Sequence, residues 1–139
     1  MVSPVSAPPA VAKTTGFSFV DGADLREAAR EQYHAGFGIQ TLDSVAAMCE
    51  LKELDGVYVA TPNPFHAEHA ITALERGKHV MVEKPMALTL EDCDRMIAAA
   101  EKSRVKLIVA HTRSFNPPIR QMREIISSDK LGRVTQVHT

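Results

Sequence analysis

The apolar positions of the chain fall in short blocks separated by longer stretches of helical composition. Phe17-Ser18-Phe19-Val20, Ile39-Gln40-Thr41, Gly56 to Ala60, His79 to Val82 and Lys106 to Ala110 read as strands, most of them bounded by glycine, proline or charged residues. Between them, Asp24 to His34, Val45 to about Leu51, Phe65 to Arg76 and Leu90 to about Ser103 have helical composition, and another helix opens at Asn116 or Pro117 and runs to about Ser127. Gly36, Gly38 and Gly77 supply stops. Asp43 or Ser44, and then Thr89, supply caps. Val45, Met48 and Cys49 share one helical face. Strands that alternate with helices imply crossover connections, and so a doubly wound α/β fold on a parallel sheet. His79 to Val82 stands at its centre and reads as a strand buried on both faces.

Composition narrows the class. With 139 residues, 45% hydrophobic and 24% charged, the chain has the size and balance of one soluble globular domain. A net charge of -1 gives no electrostatic case for nucleic acid or an anionic membrane. No apolar run approaches a membrane span, and Met1 to Lys13 lacks the pattern of a signal peptide. Cys49 and Cys93 show neither metal-ligand spacing nor a disulfide framework, which fits a reducing compartment, so a cytoplasmic location is expected.

The chemistry gathers where the central strand ends. Glu83-Lys84-Pro85 follows Val82, and ligands of open α/β sheets bind outside the carboxyl ends of the strands. Pro85 restricts Lys84 to an extended backbone and helps aim its side chain. A surface Glu-Lys pair closing a strand is the plain alternative. His66 and His69 lie three apart on one helix, but no carboxylate or cysteine cluster joins them in the local sequence, so no metal site is expected.

Ala60-Thr61-Pro62-Asn63-Pro64-Phe65-His66, Gly77-Lys78-His79-Val80 through Glu83-Lys84-Pro85, and Arg113-Ser114-Phe115-Asn116-Pro117 stand in a recognisable order and spacing. The chain resembles the nucleotide-binding half of the glucose-fructose oxidoreductase and inositol dehydrogenase (Gfo/Idh/MocA) family from about residue 10 to its end. The resemblance implies a Rossmann-like domain that holds NAD or NADP and a second α/β domain over the site. It also implies hydride transfer to or from a hydroxyl-bearing sugar, polyol or cyclic dihydrodiol. It makes Lys84 the catalytic residue beside the nicotinamide. Asp24 would receive the adenosine ribose, Thr61, Pro62, Asn63 and His66 would form the loop along the cofactor, Glu83 and Lys84 the strand-end pair, and Arg113 would sit beside the nicotinamide. Each has a simpler reading: Asp24 as a helix cap, Asn63 as a turn former, His66 as a polar residue in a helix's first turn, Arg113 as a loop anchor.

The sequence departs from the family pattern at one point. It holds no Gly-x-Gly-x-x-Gly turn after a strand, and Gly36-Phe37-Gly38 follows a helix instead. The expected organisation is therefore residues 1–16 as an arm or the remnant of the first crossover helix, 17–131 as the Rossmann-like domain without its first strand and glycine turn, and 132–139 as the start of a second domain. On this reading the chain is truncated at both ends and inactive alone, and a noncatalytic module that keeps the fold is the competing function. The edges of the strands at Phe17-Val20 and Val57-Ala60 would face an empty slot, so self-association is expected.

Overall fold

A computed structural model describes residues 16, 18, 20–130 and 132–136. The chain divides into two compact units, Met1–Val109 and Ala110–Thr139. In the first, elements follow in the order β1 (Asp21–Ala23), α1 (Glu27–Phe37), β2 (Gln40–Leu42), α2 (Val45–Cys49), β3 (Gly56–Val59), a 3-10 turn (Asn63–Phe65), α3 (His66–Glu75), β4 (His79–Val82), α4 (Leu90–Ser103) and β5 (Leu107–Val109). The second unit holds a 3-10 turn (Thr112–Phe115) and α5 (Pro117–Ser127).

All strand pairs are parallel, in agreement with the alternating pattern, but they form two sheets: β1 beside β2, and β3-β4-β5 in that order. Among the described residues no strand joins β1 to β3. The short helix α2 links the two sheets instead, since it packs on both β1 and α3. Its buried Met48 and Cys49 belong to the same core as β3 and β4, with Val45 partly buried beside them.

That core lies between the three-stranded sheet and the pair α3 and α4. Val57, Val59, Val80 and Val82 point into it from the strands, Ala70, Ala73 and Leu74 from α3, and Met96, Ala99 and Ala100 from α4. Small alanines let the two helices approach each other and the sheet closely, and the larger Leu74 and Met96, both fully buried, fill the remaining space. Local signals fix the ends. Gly38 and Gly77 take left-handed backbone conformations, Ser44 Oγ accepts the N–H of Ala47, and Thr89 Oγ1 accepts that of Asp92.

Three sequence expectations change. The first strand lies at Asp21–Ala23 rather than Phe17-Val20, where Phe17 and Phe19 fall outside the described residues and Ser18 and Val20 have no regular structure. The central strand is buried on one face only: Val80 and Val82 are inside, while Met81 is 43% exposed. The register lines Met81 up between Tyr58 (37% exposed) and Ile108 (50%), so one whole row of the sheet is open because α3 and α4 cover the other side. Residues 132–136, within the stretch expected to begin a second domain, have no regular structure. Of the arm or helix remnant expected over residues 1–16 only Gly16 is described, and Val137 to Thr139 also lie outside the described residues.

Candidate active site at the strand ends

Parallel pairing places the carboxyl ends of β3 and β4 side by side, and with them the loop from Thr61 and the Glu83-Lys84-Pro85 segment. The Glu83 N–H donates to Val59 O at 2.9 Å, which carries the pairing one residue past the strand. Its side chain is fully engaged. Oε1 accepts the hydroxyl of Tyr58, and Oε2 accepts the N–H of Lys84 at 3.1 Å. Burial, followed by the bond to Glu83 and its charge, pushes the Tyr58 hydroxyl well above the ordinary tyrosine range. Lys84 is exposed, and its ammonium has no hydrogen-bond or ion-pair partner among the described residues. The Lys84–Pro85 peptide is cis.

His66 takes a different place from the one its position in the loop motif implies. It is 1% exposed, and both ring nitrogens are used internally, Nδ1 at 2.8 Å from Pro85 O and Nε2 at 2.8 Å from Thr61 O. Both partners are carbonyls, so a hydrogen on either ring nitrogen finds an acceptor. Thr61 is held a second time, through its hydroxyl, by His69 Nδ1 at 3.1 Å. Burial pulls the His69 ring below the usual imidazole range against the opposite pull of Glu68, and its ring stacks on Phe65 with centroids 5.8 Å apart. Pro62 and Asn63 are exposed at the start of the 3-10 turn, and Asn63 O accepts the N–H of His66.

In the other sheet, Asp24 follows β1 and keeps its pairing through an N–H bond to Leu42 O at 3.2 Å. Arg26 closes over its carboxylate: Oδ1 accepts the Arg26 N–H at 2.8 Å and Nε at 3.0 Å, and Oδ2 accepts Nη2 at 2.9 Å. These bonds to Arg26 outweigh burial and hold the Asp24 carboxyl below the ordinary carboxylate range. Asp24 is therefore a turn former ahead of α1, with a charge that remains partly open to solvent. Arg113 lies exposed in the 3-10 turn of the second unit.

Tyr58 and Lys78 were absent from the sequence-derived site. Lys78 Nζ donates to Leu51 O at 3.0 Å and Leu54 O at 2.8 Å, securing the chain after α2. The signal for Tyr58 was present in the alternation Val57-Tyr58-Val59, which turns the tyrosine to the opposite face from the two valines.

Residues 2–111 match the family model described as the oxidoreductase family, NAD-binding Rossmann fold. The chain belongs to the Gfo/Idh/MocA oxidoreductase family. Among Gfo/Idh/MocA relatives, it is 42% identical over 121 residues to a 1-carboxy-3-chloro-3,4-dihydroxycyclo hexa-1,5-diene dehydrogenase of Comamonas testosteroni, covering 86% of this chain and 30% of the relative. The WlbA dehydrogenase of Bordetella pertussis, solved in complex with NADH and UDP-GlcNAcA, superposes with a TM-score of 0.79 at 29% identity, covering 84% of this chain and 34% of that one. A 3-ketoreductase variant of Actinomadura kijaniata, in complex with TDP-benzene and NADP, gives a TM-score of 0.82 at 26% identity over 91% of this chain and 39% of its own. This chain thus spans about a third of the length of the proteins it matches. As a Gfo/Idh/MocA member it is an NAD-binding Rossmann-type domain, and the family cofactor is NAD or NADP.

The residues present fit part of such a cofactor. Asp24 places a partly exposed carboxylate at a strand end, where Arg26 would share it with a ribose, and Lys84 offers an ammonium without a partner among the described residues at another. The sequence holds no Gly-x-Gly-x-x-Gly turn to cradle a pyrophosphate.

Proposed function

We propose that this chain is the cofactor-binding part of an NAD(P)-dependent dehydrogenase acting on a hydroxyl-bearing ring: a sugar, a polyol or a cyclic dihydrodiol. The observation that carries this reading is the exposed, unpartnered Lys84 at the end of β4, next to a glutamate whose carboxylate is already engaged. When bound, the nicotinamide supplies the hydride acceptor. Lys84 places positive charge beside the substrate hydroxyl, where it stabilises the oxygen as it becomes an alkoxide. Asp24 receives the adenosine ribose, Thr61, Pro62 and Asn63 form the loop along the cofactor, and Glu83 orients the strand end. The similarity to the Comamonas dehydrogenase supports a cyclic dihydrodiol as the first substrate to assay.

The remaining parts of the reading follow from the same features. Residues 17–131 form the dinucleotide-binding part, and 132–139 begin a second domain. The edges of β1 and β3, which no strand joins among the described residues, support self-association. Unpaired Cys49 and Cys93 support a reducing, cytoplasmic compartment. A noncatalytic module is the second reading, favoured by the absence of a glycine turn from the sequence.

The test replaces the matching segment of the Comamonas dehydrogenase with this chain and assays dihydrodiol oxidation with NAD and NADP. Turnover that collapses with Lys84→Ala at an unchanged melting temperature supports the dehydrogenase. A folded chimera that binds cofactor without turnover, or one in which Lys84→Ala turns over normally, rejects it.

A further inference from the structure

The Lys84 side chain, which has no bonding partner among the described residues, stands on a tightly held backbone. On one side, Tyr58 reaches from β3 to Glu83 Oε1, while Glu83 Oε2 accepts the Lys84 N–H at 3.1 Å. On the other, the His66 ring sits between Pro85 O, 2.8 Å from Nδ1, and Thr61 O, 2.8 Å from Nε2, donating to one carbonyl as the neutral ring and to both as the imidazolium. The residues before and after Lys84 are therefore each fixed by a side chain from a different element of the core unit. We infer that Tyr58 and His66 are positioning residues, which hold the Lys84 backbone from both sides so that its ammonium projects from a preset point.

The chemistry suits such a mount. A lysine side chain carries several rotatable bonds, so its reach is defined only as well as its Cα is fixed. The two supports differ in kind. Tyr58 acts from the open row of the sheet through a charge-assisted bond, and its substitution leaves the core untouched. His66 acts from within the core, at the first residue of α3, and couples the loop after β4 to the loop after β3. The ring spans Thr61 O and Pro85 O, one in each loop.

The importance of this mount rests on the role proposed for Lys84, but its existence is tested without cofactor or substrate. The 15N-labelled chain is compared with Tyr58→Phe, His66→Gln and the double variant by amide hydrogen exchange and 15N relaxation. Exchange at the Lys84 amide is expected to quicken by about tenfold in Tyr58→Phe, because a hydrogen bond to a carboxylate loses its orienting partner. The amides of Met96 and Ala99 in α4 should stay as in the parent. In the double variant the Lys84 and Met86 amides should lose order together. Unchanged Lys84 exchange in folded Tyr58→Phe overturns the inference, as does quickening spread equally over α4, which marks general destabilisation. If His66→Gln does not fold, Tyr58→Phe and the parent decide, and a parent Lys84 amide exchanging at the rate of an unstructured peptide also overturns it. Failure here leaves Lys84 free to be catalytic, whereas an inactive Lys84 in the chimera leaves the mount intact.

Discussion

Tyr58 and Glu83 are hydrogen-bonded across two strands although the residue paired with Tyr58 in the register is Met81, two positions earlier. The contact is a diagonal one along the open face, and it makes the phenol a support for the strand end. Burial and the carboxylate together raise the Tyr58 hydroxyl, so the folded state favours its neutral form. The stability this gives is fully present below the ordinary tyrosine range and is lost as the pH rises through and beyond it.

An alkaline spectrophotometric titration checks this point. Tyr33, also raised by burial and by Asp24, is the only other tyrosine. Tyr58 is expected to ionise last, together with unfolding. In Tyr58→Phe the late step should vanish; its persistence would assign it to Tyr33.

Lys78 and Lys84 are expected to respond oppositely to truncation. Lys78 satisfies two backbone carbonyls, so Lys78→Met should lower stability by about 1 to 3 kcal/mol. The Lys84 ammonium has no hydrogen-bond or ion-pair partner among the described residues, and Lys84→Ala should stay within about 0.5 kcal/mol. Denaturant titrations of both variants decide, and a Lys84→Ala loss as large as that of Lys78→Met would make Lys84 structural.

Asp24 sets an acid limit with the opposite sign to that of Tyr58. Its carboxyl lies below the ordinary range, so its contribution is present above that range and declines as the pH falls through the lowered value. The pair joins an exposed Arg26 to a partly exposed Asp24 and is worth about 1 kcal/mol. Asp24→Asn should flatten the acid side of the stability curve by that amount at low salt and by less at high salt. An acid profile identical to the parent's would show the pair to be idle.

Cofactor affinity is expected to be weak for the chain alone. Backbone amides at a glycine turn each contribute roughly 1.5 to 3 kcal/mol toward a charged pyrophosphate, and this sequence holds no such turn. Isothermal calorimetry with NADH and NADPH should give dissociation constants weaker by orders of magnitude than micromolar. Micromolar binding would mean that another part of the chain cradles the phosphates.

The sequence by itself determined the order and direction of the elements. Gly77, Thr89, Ser44 and the β-branched blocks act over a few residues, so α3, α4, β3 and β4 stand close to where their local chemistry puts them. The exposed place of Lys84 was legible for the same reason: the charged pair Glu83-Lys84 after an apolar strand must leave the sheet there. What could not be read was anything that depends on which side chains meet across elements. The inward turn of His66, the capture of Glu83 by Tyr58 and the bonds from Lys78 to Leu51 and Leu54 join residues 19, 25, 27 and 24 positions apart. Only packing of α3 on the sheet and the register of β3 against β4 bring such groups within bonding distance, and a shift of that register by one residue would send Tyr58 into the core and leave Glu83 without its partner.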